Sequence, residues 1–107
     1  MSIDEFCGVL AAFETAQHVP FRHYTYSEPV PAPCIAWFEM DGDSVHGDGV
    51  NVHDEVYIRL ELYIRQEDET TPAALETILK ENGLSYERDR TWVEERKEVM
   101  IIYEINL

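Results

Sequence analysis

The spacing of apolar residues predicts an α+β fold, with an antiparallel sheet of four to five strands and two helices packed on one face. Three observations carry that expectation. Ile3, Phe6, Cys7, Leu10 and Phe13 recur at steps of three and four, which lays one apolar stripe along a helix. EVYIRLELYIR, Glu55 to Arg65, alternates without a break: Val56, Ile58, Leu60, Leu62 and Ile64 point one way, and Tyr57, Arg59, Glu61, Tyr63 and Arg65 the other. Towards the C-terminus, Leu84–Trp92 and Glu98–Leu107 read as two strands around a charged turn near Glu94–Lys97.

The first helix should begin at Ser2. Ser2-Ile-Asp-Glu5 has the capping-box form, in which each end residue satisfies a free backbone N–H at the other. It should run to Gln17 and stop before Pro20, because the residue ahead of a proline is pushed out of helical geometry. Phe21–Tyr26 suits a short extended segment. Pro29, Pro31 and Pro33 in EPVPAP then force a rigid, non-helical connector, and Cys34–Met40 (CIAWFEM) returns to strand composition. QEDETTP, residues 66–72, turns into the second helix, with Thr71 expected as N-cap and Pro72 as first helical residue. Leu75, Ile78 and Leu79 form its buried stripe, and Asn82-Gly83 closes it in the left-handed conformation that glycine tolerates. In the last strand Val99, Ile101, Tyr103, Ile105 and Leu107 alternate against Met100, Ile102, Glu104 and Asn106. Residues 1–107 are expected to form one domain without a linker.

Acidic residues outnumber basic ones 22 to 8, for a formal net charge of −14. Such a surface repels phosphates and has no basic stripe to displace counterions, so stable nucleic-acid binding is not expected. The apolar runs are too short for a transmembrane helix. Asp4 and Glu5 stand where an export signal would place positive charge, so a soluble, intracellularly made protein is expected, without a membrane partner. Cys7 and Cys34 form no CxxC pair and read as thiols, Cys7 buried on the helical stripe and Cys34 half exposed at a strand start. Trp37 and Trp92 read as core or interface residues.

Residues 41–55, DGDSVHGDGVNVHDE, concentrate acids, glycines and two histidines. An EF-hand loop starting at Asp41 would need an oxygen ligand at its fifth position, Gly at its sixth and Glu at its twelfth, where the chain has Val45, His46 and Val52. His46 and His53 are seven apart with no cysteine nearby, which is no zinc-module spacing. A polar connector between strands fits better, and no metal ligand is assigned. Ser2, Ser27, Ser44 and Ser85 lie in no nucleophile frame, and neither a GxGxxG nor a Walker loop occurs. We therefore expect no catalytic residue and no cofactor. The candidate functional residues are instead the outward set Tyr57, Arg59, Glu61, Tyr63 and Arg65, since tyrosine and arginine are what protein interfaces favour.

In order and character, the pieces resemble the small tail-completion proteins (tail terminators, or head-to-tail joining proteins) of long-tailed bacteriophages and prophages, chiefly of Gram-positive bacteria. The likeness runs through nearly the whole chain. A short helix precedes HVPFRHYTY; SEPVPAPCIAWFE enters a strand; an acidic turn leads to VYIRLELYIRQEDE; then come AALETILKENG, LSYERDRTWVEERKE and the closing VMIIYEINL. The resemblance implies a structural virion protein, not an enzyme. It implies an α+β fold and a homo-oligomeric ring, commonly six copies and monomeric in isolation, that ends tail-tube assembly and docks the head connector. Its partners would be its own copies, the tail-tube protein and a neck protein. It would be found in host cytoplasm during assembly and then in the virion tail or neck. The resemblance further implies that Glu55–Arg65 builds the ring and that the 41–54 loop, with Asp41, Asp43, His46 and Asp48, contacts tube or connector. Two other readings stay open at this point: a small bacterial adaptor or regulatory module binding protein through the 55–65 face, and a small-ligand domain or enzyme with a pocket between sheet and helices.

Overall fold

The computed structural model describes residues 1–24, 26, 28, 30–40 and 56–107. Over these the chain forms α1 (Ile3–Gln17), β1 (Phe21–His23), β2 (Cys34–Met40), β3 (Tyr57–Ile64), α2 (Thr70–Glu81), β4 (Ser85–Val93) and β5 (Glu98–Asn106). The strands make one open five-stranded sheet in the order β1-β2-β3-β5-β4. Three of its pairings are antiparallel, and β1–β2 at the edge is parallel. That parallel pair follows from the connector. Residues 24–33 are too long and too proline-rich for a tight hairpin, so the chain travels back before β2 begins.

The alternation expected for β3 is present, although the strand is shorter than Glu55–Arg65: Ile58, Leu60, Leu62 and Ile64 are fully buried, and Tyr57, Arg59, Glu61 and Tyr63 are half-buried on the other face. Cross-strand register carries the division through the sheet. Leu62 lies beside Ile35 and Ile101, and Leu60 beside Trp37 and Tyr103. Phe6, Leu10 and Phe13 of α1 and Leu75 and Leu79 of α2 join these residues in one core, so both helices cover the same sheet face. Trp37 is core, edge-on to Phe6 at 5.8 Å, whereas Trp92 is 46% exposed.

The first helix begins as its sequence demands. Ser2 Oγ accepts from the Glu5 N–H at 3.1 Å, and Glu5 Oε1 accepts from the Ser2 N–H at 2.9 Å. It ends at His18 in the left-handed region (φ 59), whose N–H donates to Glu14 O. Gly83, at φ 69, closes α2 as expected.

Two local expectations are corrected. The second helix starts at Thr70, so Pro72 sits third in its first turn, where its missing N–H still costs nothing. Its start is held not by Thr71 but by Asp68, whose carboxylate accepts from the N–H groups of Thr70 and Thr71 (3.1 and 3.0 Å) and from their hydroxyls (3.2 and 2.6 Å). An ionised carboxylate offers two charged oxygens to the helix dipole where threonine offers one neutral oxygen. Cys34 is the other correction: it is buried, and Cys7 is half-buried; both are free thiols. Burial pushes the Cys34 thiol up, against the opposing influence of the nearby Arg96 guanidinium.

Removing the Asp68 clamp should loosen one whole helix end. Asp68→Ala is expected to lower stability by about 1–2 kcal/mol, read as a shift in the urea midpoint at unchanged slope; an unchanged midpoint would show that the hydroxyls alone suffice.

Candidate interaction surface

The sheet face away from the helices carries the sequence-predicted residues. Tyr57, Arg59, Glu61 and Tyr63 lie in a row along β3, and Arg65 sits exposed just past the strand end. Asp41, Asp43, His46 and Asp48, with the rest of the 41–54 loop, lie outside the described residues. β3 is hydrogen-bonded on both sides, to β2 and to β5. Its backbone is therefore fully used, and what it offers a partner is side chains.

Those side chains are linked. Glu61 accepts from Arg59 Nε and from the Tyr63 hydroxyl, each at 3.1 Å. Arg59 also lies 5.8 Å over the Phe38 ring, and Arg96 lies 4.6 Å over Tyr63. Burial, with the adjacent Glu61 charge, pushes the Tyr63 hydroxyl up to about 12, so it stays a hydrogen-bond donor at any physiological pH. Around this row the register places Ala36, Phe38 and Met40 on one side and Met100, Ile102 and Glu104 on the other. The result is a mosaic of apolar patches threaded by tied charges.

One end of the face is covered by the chain itself. Arg96 in the β4–β5 turn donates to Val30 O at 2.8 Å and to Glu98 Oε1 at 2.7 Å, while Glu98 Oε2 accepts from the Ala32 N–H at 3.3 Å. These bonds hold the proline-rich connector over the Cys34–Tyr63 corner, which is why Cys34 is buried. The opposite flank is mostly acidic: Glu87, Asp89 and Glu104 border Ile102, with Arg88, around a shallow groove of about 240 Å³.

On the helix side a second group converges that sequence reasoning missed. Glu76 of α2 accepts from the Tyr103 hydroxyl at 2.8 Å, from Arg88 Nη1 at 2.6 Å and from the Tyr86 hydroxyl at 3.3 Å. Burial would raise the Glu76 carboxyl, but the bonds from Tyr103 and Arg88 outweigh it and hold the group below its usual value. Burial first, and then the hydrogen bond and charge of Glu76, push Tyr103 far up against the opposing influence of Arg88. A carboxylate held ionised this firmly is a poor proton donor; its geometry is that of a clamp tying α2 to β4 and β5. Its trace in the sequence is Tyr103, a tyrosine among the inward Val and Ile positions of β5, whose buried hydroxyl needs an acceptor. Glu76 borders an open groove of about 420 Å³ with Glu69, Arg88 and Arg90. Among the described residues no group of three His, Cys, Asp or Glu could hold a metal ion, and no helix is long and apolar enough to cross a membrane.

Compared with known protein families and with curated proteins, the chain finds no match.

The Glu76 clamp has a pH signature. Its depressed value contributes stability that is complete above the ordinary carboxylate value of 4.5 and is lost as pH falls through the lower folded value. Glu76→Gln is expected to cost about 1–2 kcal/mol at neutral pH. The gap to wild type should close in acid, where the native carboxyl is itself neutral; a gap constant from pH 7 to pH 3 would contradict the assignment.

Proposed function

We propose that this chain works by shape, as a virion part of the tail-completion kind, with copies standing in a closed ring that ends the tail tube and docks the head connector. The observation that carries the reading is the outer sheet face, which both helices leave bare and on which Arg59, Glu61 and Tyr63 are held in fixed positions by one another. A face of pre-ordered tyrosine and arginine loses little side-chain entropy on docking, which is what a surface needs in order to bind without a pocket.

The charge supports the same use. A net −14 and an acidic flank of Glu87, Asp89 and Glu104 suit a ring around a DNA channel, because a negative wall lets the genome pass without capturing it. The small size of the domain points the same way: a chain of this length buries a modest core and gains stability by assembling.

Size-exclusion chromatography with light scattering tests the reading on the chain alone and with the tail-tube protein of the same phage. The expected result is a ring-sized assembly once tube is present. A strict monomer in both conditions would sink the proposal. Tyr57→Ala with Arg59→Glu is expected to weaken that assembly about tenfold or more while leaving the fold intact, since both side chains stand on the outer face.

A further inference from the structure

The two edges of the sheet are unlike, and each carries one exposed aromatic ring and one arginine that no carboxylate pairs among the described residues. At the β1 edge Tyr24 is 60% exposed and Arg22 points to the outer face, level with Ala36. On the helix side of that edge His23 stacks on Trp37 at 4.4 Å and lies with Nε2 2.5 Å from Glu39 Oε1. At the β4 edge Trp92 is 46% exposed, Arg88 and Arg90 lie on the helix side, and Glu87 and Asp89 on the outer side. Arg88 is tied to Glu76, which leaves Arg90 as the open cation of this edge.

Edge strands as open as β4, nine residues long, invite pairing, and proteins leave them so only where a partner is meant or self-pairing is blocked. Here self-pairing is blocked by charge. Antiparallel neighbours in a continuous sheet set residues of the same face opposite each other. β4 against β4 therefore sets Glu87 and Asp89 against acids, or Arg88 and Arg90 against arginines, in every register overlapping by more than five residues. β1 against β1 sets Arg22 against Arg22.

β4 against β1 does the reverse. With Arg22 opposite Asp89 in the antiparallel seam, the outer face gains an opposite-sign pair flanked by Glu87, and on the helix side Phe21 falls level with Arg90 and His23 with Arg88. Trp92 and Tyr24, the two aromatic rings most exposed among the described residues, both come into the seam region.

We propose that the β4 edge of one copy pairs with the β1 edge of the next, so that the sheet continues from copy to copy with every helix layer on the same side. Such a contact is heterologous: it joins two different patches and propagates head to tail, closing into a ring when the rotation per copy allows. The proposal rests on the ring reading only in taking a second copy as partner, and it assigns the ring contact to the edges, leaving the outer face free for tube or connector.

Charge reversal tests it in sedimentation equilibrium with the full chain up to millimolar concentration. Wild type should self-associate. Arg22→Asp sets a new acid against Asp89, and Asp89→Arg sets two arginines together, so each variant alone should associate about tenfold more weakly or worse. An equimolar mixture should recover wild-type association, because every seam can then pair opposite charges. Unchanged circular dichroism serves as the folding check, both positions being exposed. Variants that assemble like wild type, or a mixture that fails to recover, overturn edge pairing while leaving a ring built elsewhere intact. A wild type that stays monomeric alone at millimolar concentration also overturns edge pairing, and only monomers in the presence of tube protein would remove the ring reading with it.

Discussion

Everything in this molecule hangs on the period of two in β3. Four fully buried residues on one side and four half-buried polar or aromatic ones on the other allow a single register with β2 and β5, because a slip by one residue would turn Arg59 and Glu61 into the core. Once that register is fixed, the neighbours inherit it. Ile35 and Trp37, then Val99, Ile101, Tyr103 and Ile105, are carried to the same side, and the helices have one place to go. At about 25 cal/mol per Å² of apolar area removed from water, that shared face supplies most of the folding drive, and the outer face is left for other uses.

The few basic residues are placed with an economy that the acidic excess enforces. Arg59, Arg88, Arg96 and Lys97 each hold a carboxylate: within the outer face, between α2 and β4, over the proline connector, and inside the β4–β5 turn. Their value is positional rather than energetic, since exposed pairs contribute roughly 0–1 kcal/mol. Arg96 shows this best: one guanidinium joins Glu98, Val30 O and the Tyr63 ring, and so decides which end of the outer face is closed.

Elements with a strong local signal were legible from the residues alone. The capping box at Ser2, the helix-closing Gly83, the strand Cys34–Met40 and the β4–β5 turn all stand where periodicity and turn chemistry put them. What escaped was whatever depends on a competing or distant partner. Asp68 takes the place expected for Thr71 because the helix starts one residue earlier, at Thr70, and an acid just upstream reaches the N–H groups of Thr70 and Thr71, and Cys34 lies under a connector that Arg96 holds by Val30 O. The parallel β1–β2 pair and the Glu76 clamp are of the same kind, since neither strand order nor a helix-to-sheet hydrogen bond is written in local spacing. The outer row Tyr57–Tyr63 could be read as a face but not as a network, because alternation reports direction and not contact.

Net charge sets the terms for any assembly of this chain. At physiological salt the Debye length is about 8 Å, so the repulsion between copies of charge −14 is confined to close approach, where opposite-sign pairs must also do their work. A handful of such pairs gives direction to a contact more than affinity. A ring held by seams of this sort would be weak in free solution and firm on a template that holds copies at the right separation, because the template supplies the encounter that repulsion otherwise suppresses. The pre-ordered row on the outer face is suited to engaging such a template without trapping copies beforehand: Arg59, Glu61 and Tyr63 are already satisfied by one another, so they have little to gain from a second acidic copy and more from a surface of complementary shape.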